Sequence, residues 1–77
     1  MATTAVSSLV EAGKIDEAWD IAEQITDYYH RAQAALIIAR RTGELQDFEN
    51  AVILASHIED EELRFWLEAE IKDAQKK

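Results

Sequence analysis

The chain has 77 residues, 48% of them apolar, with no cysteine and no proline, and sixteen Asp and Glu against eight Lys and Arg give a formal charge of −8. These values describe one small all-helical domain over residues 1–77 and exclude a disulfide framework, a thiolate nucleophile and a thiolate metal site. The sign of the charge opposes direct binding of nucleic-acid phosphates or an anionic membrane surface, and it would steer in basic partners.

A chain this short buries only about 60% of the surface it exposes when unfolded, and its core supplies roughly 3–5 kcal/mol of net stability. Help from a protein partner or a second copy is therefore expected. The N-terminal stretch lacks a cationic start and an apolar run of signal-peptide length, so the default compartment is cytoplasmic. Met1 and the terminal lysines fit a whole small chain.

Apolar residues recur at spacings of three and four, which predicts helices throughout, with breaks at glycine or short polar turns. The first helix is predicted from residue 3 or 4 to 12, stopped by Gly13. The second covers 15–26, with Ile15, Ala18, Trp19, Ile21, Ala22 and Ile25 inward and Asp16, Glu17, Asp20, Glu23 and Gln24 outward. Asp27 is the expected N-cap of a third helix over 28–42, whose end is marked by Arg40, Arg41 and Gly43.

That third helix carries Ala32, Ala35, Leu36, Ile38 and Ala39 on one stripe and Ala34 and Ile37 on the other side, the pattern of a helix buried between neighbours. A fourth helix over 47–57 is predicted to turn Phe48, Ala51, Val52, Leu54, Ala55 and Ile58 inward. The fifth, capped by Asp60 and running to about residue 75, is predicted to bury Leu63, Trp66, Leu67, Ile71 and Ala74 and to turn Phe65 outward.

Residues 15–31 superimpose on 48–64 without a gap at an offset of 33, with Ala18, Ala22, Ile25, Asp27 and Arg31 repeated as Ala51, Ala55, Ile58, Asp60 and Arg64. Each repeated residue has a mechanical role. Alanines four apart let two helices approach closely, the Asp caps the next helix, and the Arg four residues later supports it electrostatically. The turn before the second copy is three residues longer, and Glu44, Leu45 and Gln46 form the insertion.

The run Gly13, Lys14, Ile15, Asp16, Glu17, Ala18 resembles the turn and second-helix start of tetratricopeptide-like repeats, and the likeness continues through Ile25, Asp27, Arg31 and Ala32. It spans about residues 3–75. The resemblance implies an all-α fold, a short right-handed stack of antiparallel helical hairpins with about five helices, and a scaffold that binds protein or peptide without catalysis. The residue pattern alone leaves open whether the stack keeps an open end or closes into a five-helix bundle.

No residue pattern points to an enzyme, a cofactor or a metal. Ser7, Ser8 and Ser56 lack a nucleophile-elbow context, a glycine-rich phosphate loop is missing, and His30 and His57 stand outside any dense ligand spacing. The candidate partner-binding residues are of two kinds. Asp16, Asp20 and Glu23 share one helix face, and Glu61 and Glu62 belong to a second acidic block; these are either solvated surface or a docking face for a basic partner.

Phe65, Trp66, Tyr28 and Tyr29 are the aromatic candidates, of the type enriched at binding hot spots. The expectation is a non-enzymatic acidic adaptor, with a homodimer through the C-terminal helix as one outlet for its uncovered face. The alternative is a small acidic inhibitor that occupies a nucleic-acid-binding or basic site on its target by mimicking phosphates.

Overall fold

The computed structural model describes residues 2–76, and among them it forms five α-helices and no strand. They are α1 (Ala2–Glu11), α2 (Ile15–Gln24), α3 (Tyr28–Thr42), α4 (Leu45–Ala55) and α5 (Glu61–Gln75). Two glycines with left-handed backbone, Gly13 at φ 80° and Gly43 at φ 70°, reverse the chain between α1 and α2 and between α3 and α4. An L side chain pays a steric penalty there that glycine escapes. The short turns lay α1 along α2 and α3 along α4 as two hairpins.

α3 is the common neighbour. It packs against α1, α2, α4 and α5, whereas no Cα of α2 comes within 8 Å of one in α4 or α5. Its two sides serve different ends of the molecule: Ala34 and Ile38 join Val6, Val10, Ala18 and Ala22 in one core cluster. Ala32, Ala35, Leu36 and Ala39 join Phe48, Ala51, Ala55, Ile58, Leu67 and Ile71 in the other. Half-buried Trp19 packs against both clusters and ties them together. The all-round apolar character of α3 is thus explained, with Ile38 turned toward α1 and α2 rather than toward α4. The result is a slab of 33 × 28 × 17 Å.

The repeated aspartates do the same work twice. Asp27 accepts from the backbone N–H of His30 at 2.9 Å and opens α3, and Asp60 accepts from the N–H groups of Glu62 and Leu63 at 2.9 and 3.1 Å and opens α5. Each satisfies donors that a helix start leaves without an intrahelical partner.

Three boundaries differ by two residues from the sequence expectation, and α1 begins and ends about one residue early. α2 stops at Gln24, because Ile25 is extended (ψ 121°) and half-buried against the α1–α2 cluster. α4 begins at Leu45, two residues early, so Leu45 and Gln46 are helical rather than part of an inserted turn. Asp47 is the third helical residue, and its carboxylate accepts from Thr42 Oγ1 at 2.5 Å across the turn. α4 ends at Ala55, where Ser56 Oγ and His57 Nδ1 donate to the Ile53 carbonyl at 2.6 and 2.9 Å and take over a helix-end acceptor. Val52, Leu63 and Trp66, predicted to point inward, are exposed.

Two substitutions test this account by urea denaturation. Ile38→Ala empties a fully buried position and is expected to cost roughly 2–5 kcal/mol, enough to leave little folded protein. Gly43→Ala meets no atom within 4 Å, so only backbone strain opposes it, and a loss of about 1–2 kcal/mol is expected.

Candidate protein-interaction surface

α5 lies at one end of the slab, with neighbours on a single side. α3 and α4 cover it, and they bury Leu67 and Ile71, with Ala74 packed against the same cluster. Arg40 Nη2 of α3 reaches Glu70 Oε1 at 3.5 Å, and Arg64 Nη1 donates to the Ile58 carbonyl at 3.1 Å, which fixes the rotation of α5 on its bed. The rest of the helix faces outward: Phe65 is 71% exposed, Trp66 67% and Leu63 39%. With exposed Ala69 they form a continuous apolar strip. Large apolar side chains exposed side by side are the uncommon observation on a small protein's surface, and they mark contact sites.

Trp66 and Leu63 also wall a groove of about 570 Å³ between α5 and α3, completed by half-buried Tyr29 and by Glu62 and Glu70. Gln33 Nε2 donates to the Tyr29 hydroxyl at 3.2 Å and holds the phenol in place. The structure therefore brings Tyr29, Glu62 and Trp66 together from the sequence candidates and leaves Phe65 on the outer side of the same strip. Tyr28 is turned elsewhere. Its ring stacks on His57 with centroids 4.9 Å apart, so it ties the start of α3 to the end of α4.

The acidic candidates separate into two sites. Asp16, Asp20 and Glu23 are all exposed on α2, which has no Cα within 8 Å of one in α5, and Glu23 borders the gap toward α4. Glu61 and Glu62 occupy the first turn of α5, where negative charge complements the helix dipole. Sequence reading missed Leu45, Val52 and Ile53, which are exposed on α4. Ile53 lines a shallow groove of about 310 Å³ with Trp19, Glu23, Arg31, Asn50 and Leu54, in the gap that α2 and α4 leave over α3. Helical periodicity places a residue on a face but does not say whether a neighbour covers that face.

Among the described residues no three His, Asp or Glu side chains are placed to hold a metal ion, and no helix is long and apolar enough to cross a membrane. One titration is perturbed. The backbone N–H of His30, and then its Nδ1 at 2.6 Å, donate to the Asp27 carboxylate and lower its pKa below the usual carboxylate range. No family model matches the chain, and no curated protein or solved structure is detectably similar to it.

Two expectations follow for solution measurements. Because both aromatics stand in water, Phe65→Ser and Trp66→Ser are expected to change stability by less than about 0.5 kcal/mol, while Leu67→Ala beneath them costs roughly 2–5 kcal/mol. Because folding lowers the pKa of Asp27, its contribution is fully present above the unfolded carboxylate value and is lost as pH falls through the lower folded one. The melting temperature of Asp27→Asn should accordingly fall less than that of the natural chain between about pH 4 and pH 2.

Proposed function

We propose that the protein is a non-enzymatic, cytoplasmic protein-interaction module, an acidic adaptor that docks a protein partner through α5. The observation that carries this reading is the uncovered aromatic strip, with Phe65 and Trp66 both more than two-thirds exposed beside the Tyr29 groove. Exposed aromatics lose water on contact and supply affinity, whereas the acidic faces act at longer range on the rate and selection of encounters. Asp16, Asp20 and Glu23 take that second role, favouring a basic partner.

In the same reading the two glycine-turned hairpins and the lone fifth helix are a short tetratricopeptide-like stack. Support comes from the 33-residue repeat, the matched Asp27 and Asp60 caps, and the chain of contacts from α1 to α3 to α5. A stack of this kind buries its faces only against further helices, so its last helix retains an apolar side for a partner.

A second reading is favoured by the exposure of Asp16, Asp20 and Glu23 along one outer face. A phosphate-mimicking inhibitor would use that face and not α5.

Site-specific photocrosslinking separates these readings. With a benzophenone side chain at position 65 in a lysate of the source cells, adducts are expected that do not form from position 8, exposed on α1. Absence of any adduct at position 65 would remove the α5 reading. Replacing Asp16, Asp20 and Glu23 by lysine should slow formation of the position-65 adduct by about two- to tenfold without abolishing it. Loss of all binding on charge reversal, with serine at 65 and 66 harmless, would transfer the function to the α2 face.

A further inference from the structure

We propose that the outer face of α5 is occupied by the same face of a second copy, in an antiparallel pair whose twofold axis passes through Ala69. This inference rests on the reading of α5 as a contact surface and names the partner that surface takes.

The side of α5 turned away from its neighbours carries, in order, Glu62, Phe65, Trp66, Ala69, Lys72, Asp73 and Lys76, all exposed. Lys76 keeps helical backbone geometry (φ −72°, ψ −16°), so it stays in register with the others. The row is acidic at its start and apolar in its middle, and its end carries two lysines and one aspartate, a net positive charge. Turned end for end against itself with Ala69 at the crossing, it sets Glu62 of each copy by Lys76 of the other.

Trp66 then meets Lys72 of the second copy, an ammonium near an indole face, and Phe65 lies level with Asp73 of the second copy. Ala69 has one methyl group, so the two helices can approach closely and the four aromatics close around the crossing. Antiparallel alignment also opposes the two helix dipoles.

An isologous contact needs a surface complementary to itself, and this one is. The outer face of α2 is not, because Asp16, Asp20 and Glu23 meet only like charge when paired with their own copy. No Cα of α2 comes within 8 Å of one in α5, so pairing through α5 keeps the two strongly acidic α2 faces apart. Phe65 and Trp66 together remove about 300 Å² of aromatic surface per copy from water. A tight complex buries about 800 Å² per partner, and this aromatic area is well below that, so a weak and reversible dimer is expected.

Sedimentation equilibrium of the purified chain from about 1 µM to about 1 mM tests this, with the mean mass expected to rise from 8.7 kDa toward twice that value. The Phe65→Ser, Trp66→Ser double variant should stay at the monomer mass while its helical circular dichroism is unchanged. Glu62→Lys and Lys76→Glu should each weaken the dimer about three- to tenfold, and the two together should restore it to within about twofold.

Within one chain those residues are about 21 Å apart along the helix, twice the screening length, so only a contact between copies couples them. A monomer mass at every concentration overturns the inference, as does a dimer indifferent to the serine changes or a charge-swapped double variant no tighter than its parents. A monomer that still crosslinks another protein from position 65 leaves α5 a contact surface for that protein. A monomer with no such adduct removes both readings.

Discussion

Every other feature of this protein depends on the burial of α3 from two sides. Four of its six buried side chains are alanines, and alanine lets neighbouring helix axes come close while leaving no polar group to satisfy. Larger residues appear only as Leu36 on the α4–α5 side and Ile38 on the α1–α2 side. A central helix of this kind divides a small apolar core into two clusters, each too thin to be stable by itself. Trp19, in contact with both, makes them one unit.

That division sets the shape. Because α3 separates the α1–α2 hairpin from α5, the helices spread into a slab 17 Å thick rather than closing around a single axis. The helices at its ends are covered on one side only. At one end α2 meets the problem with charge, and Asp16, Asp20 and Glu23 are all exposed on it. At the other end α5 keeps Phe65 and Trp66 in water, where they add nothing to the core that Leu67 and Ile71 already complete. The contrast between a charged end and an aromatic end is the physical basis for assigning contact to α5 and steering to α2.

Local chemistry was the most legible part of the sequence. Gly13 and Gly43 stand in the left-handed conformation that their place after a helical pattern predicts, and Asp27 and Asp60 cap the helices they precede. These signals depend on a residue's own backbone and its next three neighbours, so no tertiary knowledge is needed to read them. Asp47 was expected to begin α4, because the 33-residue offset assigns Leu45 and Gln46 to an inserted turn. Its place is decided by Thr42 across the turn, which sequence spacing does not show.

The burial of Trp66 was illegible for a different reason. Periodicity groups Trp66 with Leu63 and Leu67, but α3 and α4 cover only the sector around Leu67 and Ile71. Coverage depends on how many neighbours a helix has, which is a property of the whole stack. The outward direction of Phe65 was therefore legible, while the exposure of Leu63 and Trp66 required the fold.

The exposed face of α5 also bears on the size of the protein. A chain of 77 residues has little stability to spare, yet it holds two large aromatics out of its core, where each would have contributed favourable burial. Solubility is served by the charge of −8, which makes unselective aggregation through that strip unfavourable unless the approaching surface offsets the carboxylates around it. Glu62 at the start of the strip and the net positive charge of Lys72, Asp73 and Lys76 at its end favour one direction for any helix that docks there. An apolar strip alone attracts without regard to orientation. In the proposed contact, charges at the two ends of the α5 strip would make both the partner and the way it lies selective.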